Sequence, residues 1–234
     1  MRKYDYLLFD LDNTLFDFTK AEYIAFKNTA DHFGLEYSEE LYSLYSEIND
    51  RQWKRLERGE ITLDFLKIER FRLLLLELGN TENEETYKMA TEMRDKYMHE
   101  LSRQTCLIEN ADEVCHALAK EYRMFVITNG ISMIQRSRIA LSTLGDCFED
   151  IFISEELGAT KPSEAYFDVV LDKIGSSDRS KYLVIGDSLT SDCDGAIRYG
   201  IDVCRYNPAG KSDEGRVLTY SIKNLTELYS VLGV

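Results

Sequence analysis

Six short apolar runs interrupt an otherwise charged and polar chain, at positions 6–9, 123–127, 150–153, 182–185, 201–204 and 217–222. Runs this short, rich in Leu, Ile, Val and aromatic residues, predict strands buried on both faces, as in a parallel sheet. Between the later runs the apolar spacing changes to three and four. That spacing predicts helices over 111–120, 132–144 and 225–232 and one opened by Lys161-Pro162. Proline suits the first helical turn, and the residue before it is forced extended. Strands alternating with helices predict an α/β fold: a Rossmann-like, doubly wound, mostly parallel sheet with right-handed crossovers.

One long stretch breaks the alternation. After the first apolar run, four amphipathic helical patterns follow with no strand between them. Phe18, Ala21, Ile24 and Ala25 begin the first, which fades at Gly34. Leu41, Leu44, Tyr45, Ile48 and Trp53 carry the second, and Leu63, Leu66, Phe71, Leu74, Leu75 and Leu78 the third, with Gly79 as its stop. Tyr87, Met89, Ala90, Met93 and Tyr97 mark the fourth. The pattern predicts an all-helical insert over 18–102 and a discontinuous core formed by 1–17 and 103–234.

The chain has 234 residues, enough for one large or two modest domains. Its longest unbroken apolar stretch, Leu73 to Leu76, is far too short to span a membrane. The formal net charge of -14 is spread along the chain: residues 19–102 hold 12 Lys and Arg against 18 Asp and Glu, and the remainder 16 against 24. Both parts are acidic, which argues against polynucleotides and anionic membranes as partners. Five cysteines form no CxxC pair, and the N-terminal residues run directly into the first strand without a signal-like apolar region. These features predict a cytoplasmic protein with reduced thiols, a monomer or weak homo-oligomer acting on a small molecule.

Candidate chemistry gathers at the ends of the predicted strands. The first run ends in Asp10-Leu11-Asp12-Asn13-Thr14, the second in Thr128-Asn129-Gly130, the fourth in Gly186-Asp187-Ser188, with Asp192 close behind; Lys161 precedes a helix. In a doubly wound sheet these groups converge at one edge. Asp10 and Asp12 admit two readings. Either the paired carboxylates share a hard cation such as Mg²⁺, or Asp12-Asn13-Thr14 caps the following helix. Together the groups suit phosphoryl transfer. Asp10 serves as carboxylate nucleophile, Asp12 as general acid and base, Asp187 as a second carboxylate for the metal, Thr128 as a phosphate-holding hydroxyl and Lys161 as a neutralising charge.

These four motifs, in this order, resemble the haloacid dehalogenase superfamily of phosphatases, those with a helical cap inserted after the first strand. The resemblance covers essentially the whole chain. It implies hydrolysis of a small phosphorylated metabolite through an aspartyl-phosphate, with Mg²⁺ held by Asp10, Asp187 and the main-chain carbonyl of Asp12. It also implies phosphate contacts from Thr128, Lys161, Asn129 and main chain near Asn13, with Asp192 orienting metal waters or Lys161 rather than binding metal directly. Thr128-Asn129-Gly130 followed by Gln135-Arg136-Ser137-Arg138 further resembles a subgroup that includes pyrimidine 5′-nucleotidases, which implies a nucleoside monophosphate as substrate. Sugar-phosphate phosphatases, phosphomutases and catalytically silent metabolite binders remain alternatives on the same fold.

Overall fold

The computed structural model describes residues 2–234, which form two compact units: 2–19 with 105–234, and 20–104. The first unit is built on a six-stranded sheet. In chain order its strands are β1 (Tyr6–Phe9), β2 (Arg123–Thr128), β3 (Asp150–Ile153), β4 (Tyr182–Gly186), β5 (Asp202–Tyr206) and β6 (Tyr220–Ile222). They lie in the order β3-β2-β1-β4-β5-β6, and every neighbouring pair is parallel.

Both faces of the sheet are buried, which is why its strands read as continuous apolar runs. Leu7 and Phe9 face one core cluster, with Val114, Leu118, Leu183 and Ile185. Leu8 faces the other, with Phe125, Phe167, Val170 and Val184. Each such side chain contributes roughly 1.5–3 kcal/mol by leaving water. The helices of this unit are α5 (Ala111–Leu118), α6 (Ser132–Leu141), α7 (Ser154–Leu157), α8 (Glu164–Ile174), α9 (Asp194–Tyr199) and α10 (Leu228–Leu232).

The second unit is helical throughout, in α1 (Phe18–His32, whose first residues belong to the sheet unit), α2 (Glu39–Glu57), α3 (Leu63–Glu77) and α4 (Glu84–Ser102). Ser38, Thr62 and Asn83 start α2, α3 and α4 by accepting from backbone amides three residues on. Phe26, Tyr45 and Phe71 stack through its centre, with Phe26 and Tyr45 ring centroids 4.2 Å apart, and Tyr97 meets Phe71 edge-on. The buried Arg70 guanidinium lies over the Tyr97 ring and donates to Asn49 Oδ1. No helix among the described residues is long and apolar enough to cross a membrane.

Three local expectations are corrected. Pro162 does not open a helix: α8 starts at Glu164, Ser163 caps it through Tyr166 N, and the Lys161–Pro162 peptide is cis. The last strand is shorter than its apolar run, because Val217 is 90% exposed and only 220–222 reach the ladder beside β5. Helix α6 stops at Leu141, and a separate 3₁₀ turn over Gly145–Cys147 carries the chain toward β3.

Candidate active site

Chain order reverses direction across the sheet between β1 and β4, the position at which open α/β sheets bind ligands beyond their carboxyl ends. Asp10 follows β1 there. Its N–H donates to Ile185 O at 2.8 Å, prolonging the ladder, and the residue is 7% exposed. Asp187 follows β4 beside it. Asp192 is fully buried on the helical turn that follows, and carboxylate oxygens of Asp10, Asp187 and Asp192 all lie within 4.8 Å of one another.

A single ammonium ties this cluster together. Lys161 Nζ donates to Asp10 Oδ1 at 2.6 Å, to Asp192 Oδ1 at 2.7 Å and to the carbonyl of Ile127 at 2.9 Å. All three of its protons are thereby engaged within the protein. Its charge lies directly beside Asp10. Asn129 sets the position of Lys161: its Nδ2 donates to Lys161 O at 2.8 Å, and its Oδ1 accepts from Lys161 N at 2.9 Å. Through that reciprocal pair Asn129 holds the loop of Lys161.

Burial dominates the electrostatics. It raises the Asp10 carboxyl well above its ordinary range; Lys161 offsets this in part, and the charges of Asp192 and Asp187 add to it. Burial, then repulsion from Asp192, pushes Asp187 up to about 7. Lys161 behaves oppositely: burial pulls it down, but Asp10 and Asp192 outweigh that and hold it above its usual value. When all three are ionised, three carboxylates facing one ammonium leave two negative charges in excess, and the donors are all hard oxygens. This set fits a divalent cation such as Mg²⁺. Asp192 has less to offer it, since its second oxygen already accepts from Ser188 N at 3.1 Å.

Thr128 ends β2 with its amide donating to the Tyr166 hydroxyl, and its Oγ1 accepts from Gly130 N at 3.0 Å and Gln135 Nε2 at 3.3 Å. With its lone pairs so occupied, its own O–H is the group left to donate to a phosphate oxygen. Asn13 sits in a left-handed turn. Its backbone has φ of 63°, its N–H donates to Phe16 O at 2.7 Å, and its Oδ1 accepts from Thr19 N in the first turn of α1. The capping reading therefore applies to the Asn13 side chain.

Asp12 is a quarter exposed and both of its oxygens are held from α6. Gln135 Nε2 donates to Oδ2 and Arg138 Nη1 to Oδ1, each at 2.5 Å. Gln135 and Arg138 had appeared in the sequence only as part of a subgroup resemblance. Their signal there is an i, i+3 polar pair on the helix that follows Thr128-Asn129-Gly130, which by itself reads as a solvent-facing stripe.

Residues 7–206 match the family model of haloacid dehalogenase-like hydrolases. The HAD-hydrolase YfnB of Bacillus subtilis is 33% identical over all of this chain and 97% of its own length. Its crystal structure bound to magnesium superposes with a TM-score of 0.91 over the full length of both chains. Pyrimidine 5′-nucleotidase PynA of Streptococcus pneumoniae is 34% identical over 88% of this chain and 84% of its own. Pyrimidine 5′-nucleotidase YjjG of Escherichia coli is 29% identical over 98% of each chain. With its strand-end carboxylates, buried lysine and parallel sheet, the chain belongs to the haloacid dehalogenase-like hydrolases.

Proposed function

We propose that the protein is a Mg²⁺-dependent phosphomonoesterase of small phosphorylated metabolites, and that a nucleoside 5′-monophosphate is its substrate. The observation that carries this is the buried cluster in which Lys161 joins Asp10 to Asp192 with Asp187 alongside. Asp10 Oδ1 is taken by Lys161, which leaves Oδ2 to attack phosphorus. As the P–O bond to the leaving group breaks, Asp12 gives its proton to the departing oxygen, and an aspartyl-phosphate forms on Asp10. Asp12, now a carboxylate, takes a proton from water as that water attacks the aspartyl-phosphate, releasing phosphate and restoring both residues.

Asp10 and Asp187, with the main-chain carbonyl of Asp12, are the groups that would hold Mg²⁺. When bound, the ion neutralises charge on the transferring phosphoryl oxygens. The Thr128 hydroxyl supplies a neutral donor to the same group, and Lys161 supplies charge from behind Asp10. We read the helical residues 18–102 as a cap that excludes water while the aspartyl-phosphate forms. The nucleotide preference rests on PynA and YjjG, both pyrimidine 5′-nucleotidases.

Phosphate release from nucleoside monophosphates, sugar phosphates and small acid phosphates, each with Mg²⁺ and with chelator, tests this reading. The expected result is Mg²⁺-dependent release that peaks on pyrimidine monophosphates. A peak on sugar phosphates would remove the nucleotide assignment, and no release from any compound would remove the phosphatase assignment.

A further inference from the structure

The two donors on Asp12 belong to one helix face. Gln135 and Arg138 stand three residues apart on α6, and Arg138 Nη1 also lies 3.3 Å from Gln135 Oε1. Both side chains are buried, Arg138 completely. The guanidinium is stacked over the Phe16 ring, with its carbon 4.6 Å from the ring centroid, so it is fixed from the side as well as by its hydrogen bonds. Gly130 makes room for Gln135: a Cβ at 130 would fall on the Gln135 amide. The loop after β2 is therefore shaped around this side chain.

A cation and an amide donor, one on each oxygen, match a carboxylate that only accepts hydrogen bonds. In the reaction proposed above, Asp12 is in that form after it has given its proton to the leaving group and before it takes one from water. We propose that Gln135 and Arg138 are positioning residues for the second half-reaction: they hold the Asp12 carboxylate as the base that draws a proton from the water attacking the aspartyl-phosphate. The inference rests on the acid/base reading of Asp12. The bonds concerned are the water O–H, whose proton goes to an Asp12 oxygen, the new water O–P bond and the Asp10 O–P bond that breaks. Gln135 and Arg138 exchange no proton.

A role confined to the second step has a kinetic signature that mere structural support lacks. Slowing the breakdown of a covalent intermediate lowers kcat and KM by the same factor and leaves kcat/KM unchanged. The test is steady-state and rapid-mixing kinetics with 4-nitrophenyl phosphate, whose leaving group departs without needing a proton, on the full chain with Mg²⁺. Wild type is compared with Arg138→Met, Arg138→Lys and Gln135→Met, each checked for fold by circular dichroism. If the fully buried Arg138→Met does not fold, the other two substitutions decide.

The expected result is that kcat and KM both fall, on the order of tenfold, with an initial burst of one nitrophenolate per active site and with Arg138→Lys partly restoring the rate. Unchanged constants, or a fall in kcat/KM in step with kcat and no burst, would overturn the inference. A wild-type protein that releases no nitrophenolate would instead remove the phosphatase reading, and this inference with it.

Discussion

Gly186 and Asp192 fit together because residue 186 has no side chain. A Cβ there would lie 2.7 Å from Asp192 Cβ and closer still to the carboxylate that accepts from Lys161. The glycine at the end of β4 thus provides clearance, with no positive φ involved. Gly186→Ala forces Asp192 aside, at an overpacking cost of about 1–3 kcal/mol. Displacement of the lysine's partner lowers phosphate release on the order of 100-fold. A thermal melt and a phosphate-release assay check this; a fully active, equally stable variant would show that the close fit is idle.

Asn129→Ala removes the reciprocal pair that fixes the backbone of Lys161. Leaving buried groups without partners costs about 1–3 kcal/mol, read as a lower melting temperature. Because Asn129 acts through Lys161, kcat falls more than the affinity for inorganic phosphate, measured as product inhibition. A selective loss of phosphate affinity would return Asn129 to the phosphate-binding role that its place in the sequence suggested.

Metal affinity should depend on pH through Asp187. Its carboxyl is pushed up to about 7, first by burial and then by Asp192. In the metal-free protein it is mostly protonated below that pH, so a cation must displace the proton. Mg²⁺ binding therefore weakens as pH falls from 8 to 6, and in the metal-free protein the raised value means that this carboxyl opposes folding increasingly as pH rises from the ordinary carboxylate range to about 7, and levels off above it. Calorimetric titration with Mg²⁺ at pH 6 and pH 8, with proton release measured in two buffers, checks both sign and window. Equal affinities at the two pH values would contradict it.

The architecture was legible because a sheet buried on both faces writes itself as apolar runs, and all six appear as parallel strands. The carboxylates were legible because they directly follow those runs, and the topology fixes where such ends meet. The partners of the site were not. Asn129 follows β2 just as a phosphate-binding residue would, and only the placement of Lys161 shows where its amide goes. Gln135 and Arg138 read as a polar helix face until α6 is laid beside Asp12. Pro162 carries a local preference for a helix start, but Ser163 offers a better cap one residue later. Arg70 lies among charged residues in α3, and nothing in that spacing marks it as buried against Tyr97.

In the proposed reaction, Asp10 is the group that takes the phosphoryl from the substrate. Its most direct test is phosphate release by Asp10→Asn beside wild type, with saturating Mg²⁺ and the preferred substrate, on protein shown by its melt to be folded. The amide is close in shape to the carboxylate but is not a nucleophile, and it keeps an oxygen able to accept from Lys161. The expected result is a folded protein with no detectable turnover and no phosphate bound covalently after acid quench. Turnover at the wild-type rate would contradict it.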